Sequence, residues 1–149
     1  MTLPATTVVL VLARLAAPAG GDFAAEYRKA EGRWQVMAMV MNGEEIPTEG
    51  FKDLRIVLEG KSVKATQADD VIAGGTYKVV SVTGKAVAFD LTMAAGPDKG
   101  KTFPALNEWL GDDELRTTIG QPGKPRPKPG AAPEKGDRQA VFVIKREKK

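Results

Sequence analysis

The chain has 149 residues, 42% of them hydrophobic and 28% charged, with a formal net charge of +3. Those figures describe one domain of ordinary globular composition, long enough to bury a core without cross-links. Cysteine and histidine are absent, and serine occurs only at Ser62 and Ser81. Disulfides, thiolate metal sites and iron–sulfur clusters are therefore excluded, as are hydrolase designs that activate a nucleophile with histidine. The expectation is a protein that is not an enzyme and carries no cofactor and no metal.

Residues 1–19 contain the short apolar run Val8–Ala13, then Ala17-Pro18-Ala19 before Gly20. Small residues three and one positions before a cleavage point are the layout of a secretory signal peptide. The run is too short and too interrupted to span a membrane. The segment is read as a signal peptide of an exported protein, periplasmic or extracellular, although no Lys or Arg precedes the apolar run. Residues 20–31 are a lead with a short helix over 23–31. Asp22 is placed to cap that helix, Phe23 and Tyr27 share one face, and Gly32 ends it.

From Arg33 the hydrophobic period changes from that of a helix to two. Trp34, Val36, Ala38 and Val40 share one face of a strand that stops at Asn42-Gly43. Met37, Met39 and Met41 line its other face and are expected to lie under the N-terminal helix. Pro47–Asp53 is a loop or a single helical turn. Strands follow over 54–58, 63–65, 76–82 and 87–93, the last alternating Val87, Phe89, Leu91 and Met93 with small or polar residues. Gly96–Gly100 is a turn, 102–110 and 114–119 are strands about Gly111-Asp112-Asp113, and 139–146 is the last strand. Eight sequential strands joined mainly by tight turns predict an all-β fold, an eight-stranded antiparallel up-and-down barrel with a short N-terminal helix, occupying 32–147. A two-sheet sandwich is the alternative.

Residues 120–138 hold five of the ten prolines in the chain. Proline donates nothing to a ladder, so this is a long loop. It reads as a floppy connection or as a rim loop beside the barrel mouth, where a polyproline segment would meet a protein partner. Residues 120–149 carry nine basic and three acidic side chains. Nucleic-acid binding is not expected, because Phe142 is the only aromatic in that stretch and belongs to an apolar strand.

Other candidate chemistry is thin. Glu44-Glu45, Asp69-Asp70 and Asp112-Asp113-Glu114 are the tight acidic clusters, and adjacent acids at turns are ordinarily solvated. Glu108 is the one acid embedded among large side chains, and strand alternation points it outward.

Gly32-Arg33-Trp34 at the first strand and Lys145-Arg146 at the last resemble the lipocalin and calycin signature. There a tryptophan plugs the closed end and a basic residue packs across it. The order Asn42-Gly43-Glu44, Gly75-Thr76-Tyr77-Lys78, Asp90-Leu91-Thr92, Gly96–Thr102, Pro122–Pro127 and Ile144–Glu147 resembles a small lipocalin-like domain family of unknown function expanded in Planctomycetes. Asn107-Glu108-Trp109 departs from that pattern. The resemblance implies a lipocalin-like barrel in an exported bacterial protein, with Gly32, Trp34 and Arg146 as the structural plug. It implies no reaction.

Two functional expectations follow. One is a small apolar or amphipathic ligand held in the barrel near Trp109, Phe103, Tyr77 and Phe89, with Trp109, the Gly96–Lys101 hairpin and the Gln121–Arg138 loop meeting at the mouth. The other is a barrel filled by its own side chains, acting through its surface and the proline-rich loop. The interior volume discriminates between them, because ordinary ligand sites begin at about 300 Å³.

Overall fold

The computed structural model describes residues 23–132 and 134–148. The expected signal segment 1–19 and the expected cap Asp22 lie outside the described residues. The helix α1 runs Ala24–Ala30 and is capped at its ends by Phe23 and Glu31. Gly32 is therefore not its terminator but the first residue of β1.

The strands are β1 (Gly32–Met41), β2 (Glu44–Glu45), β3 (Leu54–Glu59), β4 (Ser62–Gln67), β5 (Asp70–Thr83), β6 (Ala86–Ala95), β7 (Thr102–Gly111), β8 (Glu114–Ile119) and β9 (Ala140–Arg146). Each of β3 to β8 pairs with the next, all antiparallel, and β1 pairs with both β3 and β9. The result is a closed eight-stranded up-and-down barrel, with β2 as a two-residue flap on the end of β1. Closure leaves no long unpaired edge to recruit another chain.

The alternation read from the sequence sets which side chains point inward. Tyr77, Phe89, Leu91, Ala105 and Ile144 all belong to one buried cluster. In β1 the pattern breaks. The register with β9 shifts between Val36 and Ala38, so an extra residue reverses the inward face. Trp34 and Val36 are buried, Ala38 is exposed, and Met39 packs against the core. Met37 and Met41 are 48% and 41% exposed, so the methionines are not covered by α1. Beyond Gln35, β1 no longer pairs with β3. The chain over 46–53, with a 3₁₀ turn at Thr48–Gly50, leads from β2 to β3 and buries Phe51 in the core.

The segment that joins β8 to β9 starts and ends at the mouth, as a rim loop would, and its described residues are anchored rather than floppy. It is a strap across the outside of the barrel. Arg126 reaches β6 and β7, where its guanidinium donates to the Phe89 and Ala105 carbonyls and pairs with Asp90 at 2.7 Å. Gly130 N–H donates to Glu108, and Arg116 donates to the Ala131 carbonyl. The strap then returns to the end of β1, where Gly136 and Arg138 N–H groups both donate to Asn42 Oδ1. Gly43 sits there at φ +78°, and a Cβ on it would collide with the backbone of Lys135.

Between those anchors lies one row of side chains, Ala88, Leu106, Thr118 and Val141, paired strand to strand across β6 to β9. All four are buried, yet none belongs to the interior cluster. The strap is anchored on their neighbours Asp90, Glu108 and Arg116, on the same outer side. Proline suits it, because an extended segment lying on a sheet face needs no ladder donors and loses little backbone freedom on folding.

Candidate functional site

One end of the barrel is sealed. Trp34 is completely buried, and its indole Nε1–H donates to the Ala30 carbonyl at 2.9 Å. Arg146 comes from the last strand, directly opposite Trp34 in the register. Its guanidinium carbon stands 4.4 Å from the centroid of the Trp34 ring. The same group donates to the Lys29 carbonyl at 2.7 Å, to the Glu31 carbonyl, and to Asp113 Oδ1 at 2.8 Å. One side chain thus fills the open carbonyls of the last turn of α1, pairs with the β7–β8 turn and covers the plug. Gly32 makes room for it, with φ +139° and only 3.0 Å between an added Cβ and Arg146 Nη1. The three residues read from the sequence as a plug are brought together.

Trp109 does not stand at the mouth. It is buried 6.1 Å from Trp34, ring to ring, with Lys29 Nζ 4.3 Å over its face. Strand direction explains the correction. β1 runs from plug to mouth, directions alternate around the meander, and β7 therefore ends at the plug. The Gly96–Lys101 turn and the two ends of the strap do lie at the opposite end, but Trp109 does not join them.

Above the plug the barrel is hollow. A cavity of about 270 Å³ is lined by Tyr77, Phe89 and Phe103 among other residues, and it reaches Asp98 in the Gly96–Lys101 turn. Three of the four residues expected at a ligand site thus share one cavity. Its walls are aliphatic and aromatic, from Ile56 on β3 round to Phe142 and Ile144 on β9. Tyr77 packs between Tyr27 of α1, at 5.2 Å, and Phe89, at 5.7 Å edge-on.

The polar groups in the cavity are few. Thr117 donates to Asn107 Oδ1 at 2.5 Å across β7 and β8. Among the described residues Asp98 is the one charged lining residue, and it is paired with Lys101 at 3.3 Å. The Tyr77 hydroxyl is buried, with no hydrogen-bond partner among the described residues. Burial, with the nearby Tyr27 and Glu31 adding to it, pushes the Tyr77 phenol up to about 12, so it stays a neutral donor. Tyr27 differs, because its oxygen accepts the Val79 N–H at 2.7 Å. Nothing in the local pattern marks Asn107 and Thr117, whose pairing depends on the register of β7 against β8.

Glu108 lies outside the barrel, paired with Arg116 at 3.3 Å and holding the strap. Among the described residues no group of three or more acidic side chains is placed to hold a metal ion, and no helix is long and apolar enough to cross a membrane.

These features define the class: a closed antiparallel barrel, plugged at one end by a tryptophan–arginine stack and hollow toward the other. Comparison with protein-family models, curated proteins and solved structures finds no match to the chain.

Proposed function

We propose that the protein is a non-catalytic carrier that holds one compact apolar or amphipathic molecule inside the barrel. The observation that carries the reading is the cavity of about 270 Å³ with almost wholly apolar walls. An apolar cavity of about 150 Å³ in a protein core stays dry and takes up benzene. This one is nearly twice as large, yet slightly below the floor of ordinary drug-sized sites. The ligand is accordingly of the size of two small rings or a medium-length chain. Resemblance to the lipocalin-like family is part of the proposal and is supported by the stacking of Arg146 on Trp34. A role outside the cytoplasm fits the reading of residues 1–19 as an export signal.

The test is saturable binding of a neutral apolar fluorophore, N-phenyl-1-naphthylamine, compared in the parent and in Ala65→Phe. Ala65 lines the cavity, so the larger side chain should occupy it and abolish binding while a cooperative unfolding transition remains. Absence of binding by the parent would leave the second expectation standing, a barrel acting through its outer surface and strap.

A further inference from the structure

The floor of the cavity carries a polar pair in walls that are otherwise almost wholly apolar. On β7 the inward side chains run Ala105, Asn107 and Trp109, and the first and last of these belong to the buried interior cluster. Asn107 stands one inward step above Trp109, which packs on the plug. Thr117 faces it from β8, with Ile119 on its mouth side and Leu115 on its plug side. Both line the cavity, and the Thr117 hydroxyl donates to Asn107 Oδ1. The amide nitrogen of Asn107 has no hydrogen-bond partner among the described residues. Nor is it sealed, for it is not among the enclosed side-chain atoms left without a hydrogen bond, as the Tyr77 hydroxyl is. The nitrogen therefore keeps open surface, and on an inward side chain in the cavity wall that surface faces the cavity.

That leaves an N–H donor on Asn107. It also leaves acceptor capacity on Thr117, since a threonine hydroxyl has two lone pairs beside its one proton. A hydroxyl group complements the pair, accepting from the amide and donating to Thr117 Oγ1. An ionised carboxylate does not. Among the described residues no Lys or Arg lines the cavity, and its one charged wall residue, Asp98 at the mouth, is itself an anion. A buried anion would lose its water with no countercharge to replace it. Resting on the carrier reading, we infer that the barrel takes a neutral alcohol with an apolar body, its hydroxyl end down on Asn107 and Thr117 and its apolar end toward the mouth, and that it rejects the corresponding carboxylate. The asparagine then has a use that packing does not give it. A leucine of similar size would line the floor without an unpaired amide.

The experiment compares octan-1-ol, octane and octanoate as competitors of N-phenyl-1-naphthylamine on the full chain, near pH 7.5, where octanoate is ionised. Octanol should bind at least about tenfold more tightly than octanoate. In Asn107→Leu the affinity for octanol should fall roughly two- to tenfold, the span of one net hydrogen bond, with that for octane unchanged or higher. In the parent, octanol but not octane should move the Asn107 side-chain amide proton resonances downfield, a readout that does not depend on the variant folding. Octanoate binding as well as octanol overturns the inference while the carrier reading survives. So does an octanol-to-octane ratio that is unchanged in a folded Asn107→Leu, and so do amide resonances that respond alike to octanol and octane. If neither the fluorophore nor any of the three compounds binds the parent, the carrier reading itself fails and this inference falls with it.

Discussion

Two side chains concentrate the energetics of the plug. Trp34→Ala removes a fully buried indole from beneath Arg146 and should cost about 3–5 kcal/mol in urea unfolding. Arg146→Ala should cost less, about 1.5–3 kcal/mol, because water can solvate part of what the guanidinium leaves behind. Gly32→Ala should also destabilise, since it forces a β-carbon into a left-handed conformation beneath that guanidinium. Tyr77 makes a pH prediction. Its phenol is pushed up to about 12 in the folded protein, against about 10 when unfolded. The unfolded chain therefore loses this proton first, and the associated stability is intact below pH 10 and declines as pH rises toward 12. Parent and Tyr77→Phe unfolding curves compared across that window should converge or cross as pH rises, by about 2–3 kcal/mol at most. A constant difference from pH 8 to 12 would refute it.

At the scale of elements, the strap is the departure from expectation. Its composition marks a loop, and the local signals for a loop are correct. What composition does not carry is where the loop goes. That depends on Arg126 finding Asp90 and two carbonyls on neighbouring strands, and on Asn42 accepting two N–H groups from a segment more than ninety residues later. Arg126→Ala should lower stability by about 1–2 kcal/mol, discounted for the partial exposure of the ion pair. It should also open the strap to limited proteolysis between residues 121 and 139 while the barrel stays folded. Retained protease resistance would show that the prolines and Asn42 hold the strap unaided. The bulge in β1 is similarly hidden. A perfect alternation of Trp34, Val36, Ala38 and Val40 is the natural reading of the sequence, and only pairing with β9 reveals the inserted residue.

For the whole molecule, strand number, order and closure were legible, because half-buried strands write their period into the chain and turns punctuate it. The plug was legible as well, through glycine and tryptophan at the first strand and arginine at the last. The cavity was legible only in part. Phe103, Tyr77 and Phe89 are large inward residues whose presence argues as readily for a filled barrel. Whether space remains among them depends on tilt and stagger, which no local pattern records. Trp109 was legible in principle, since counting strand directions places it at the plug. Closure itself is testable. Terminating the chain before β9 leaves β1 and β8 as open edges, and such a protein should lose cooperative unfolding and associate as its concentration rises. A monomeric, cooperatively folding truncation would show that the seam is dispensable.

The arginine that seals the plug has a consequence in time as well as in space. Lys29 and Glu31 wait for a partner 117 and 115 residues further along. A ribosome adds about 5–20 residues each second. The indole of Trp34 therefore spends roughly 6–20 s on a nascent chain before the guanidinium that shields it has been made. Through that interval the ring lacks its cover, which comes only with the last strand of the barrel.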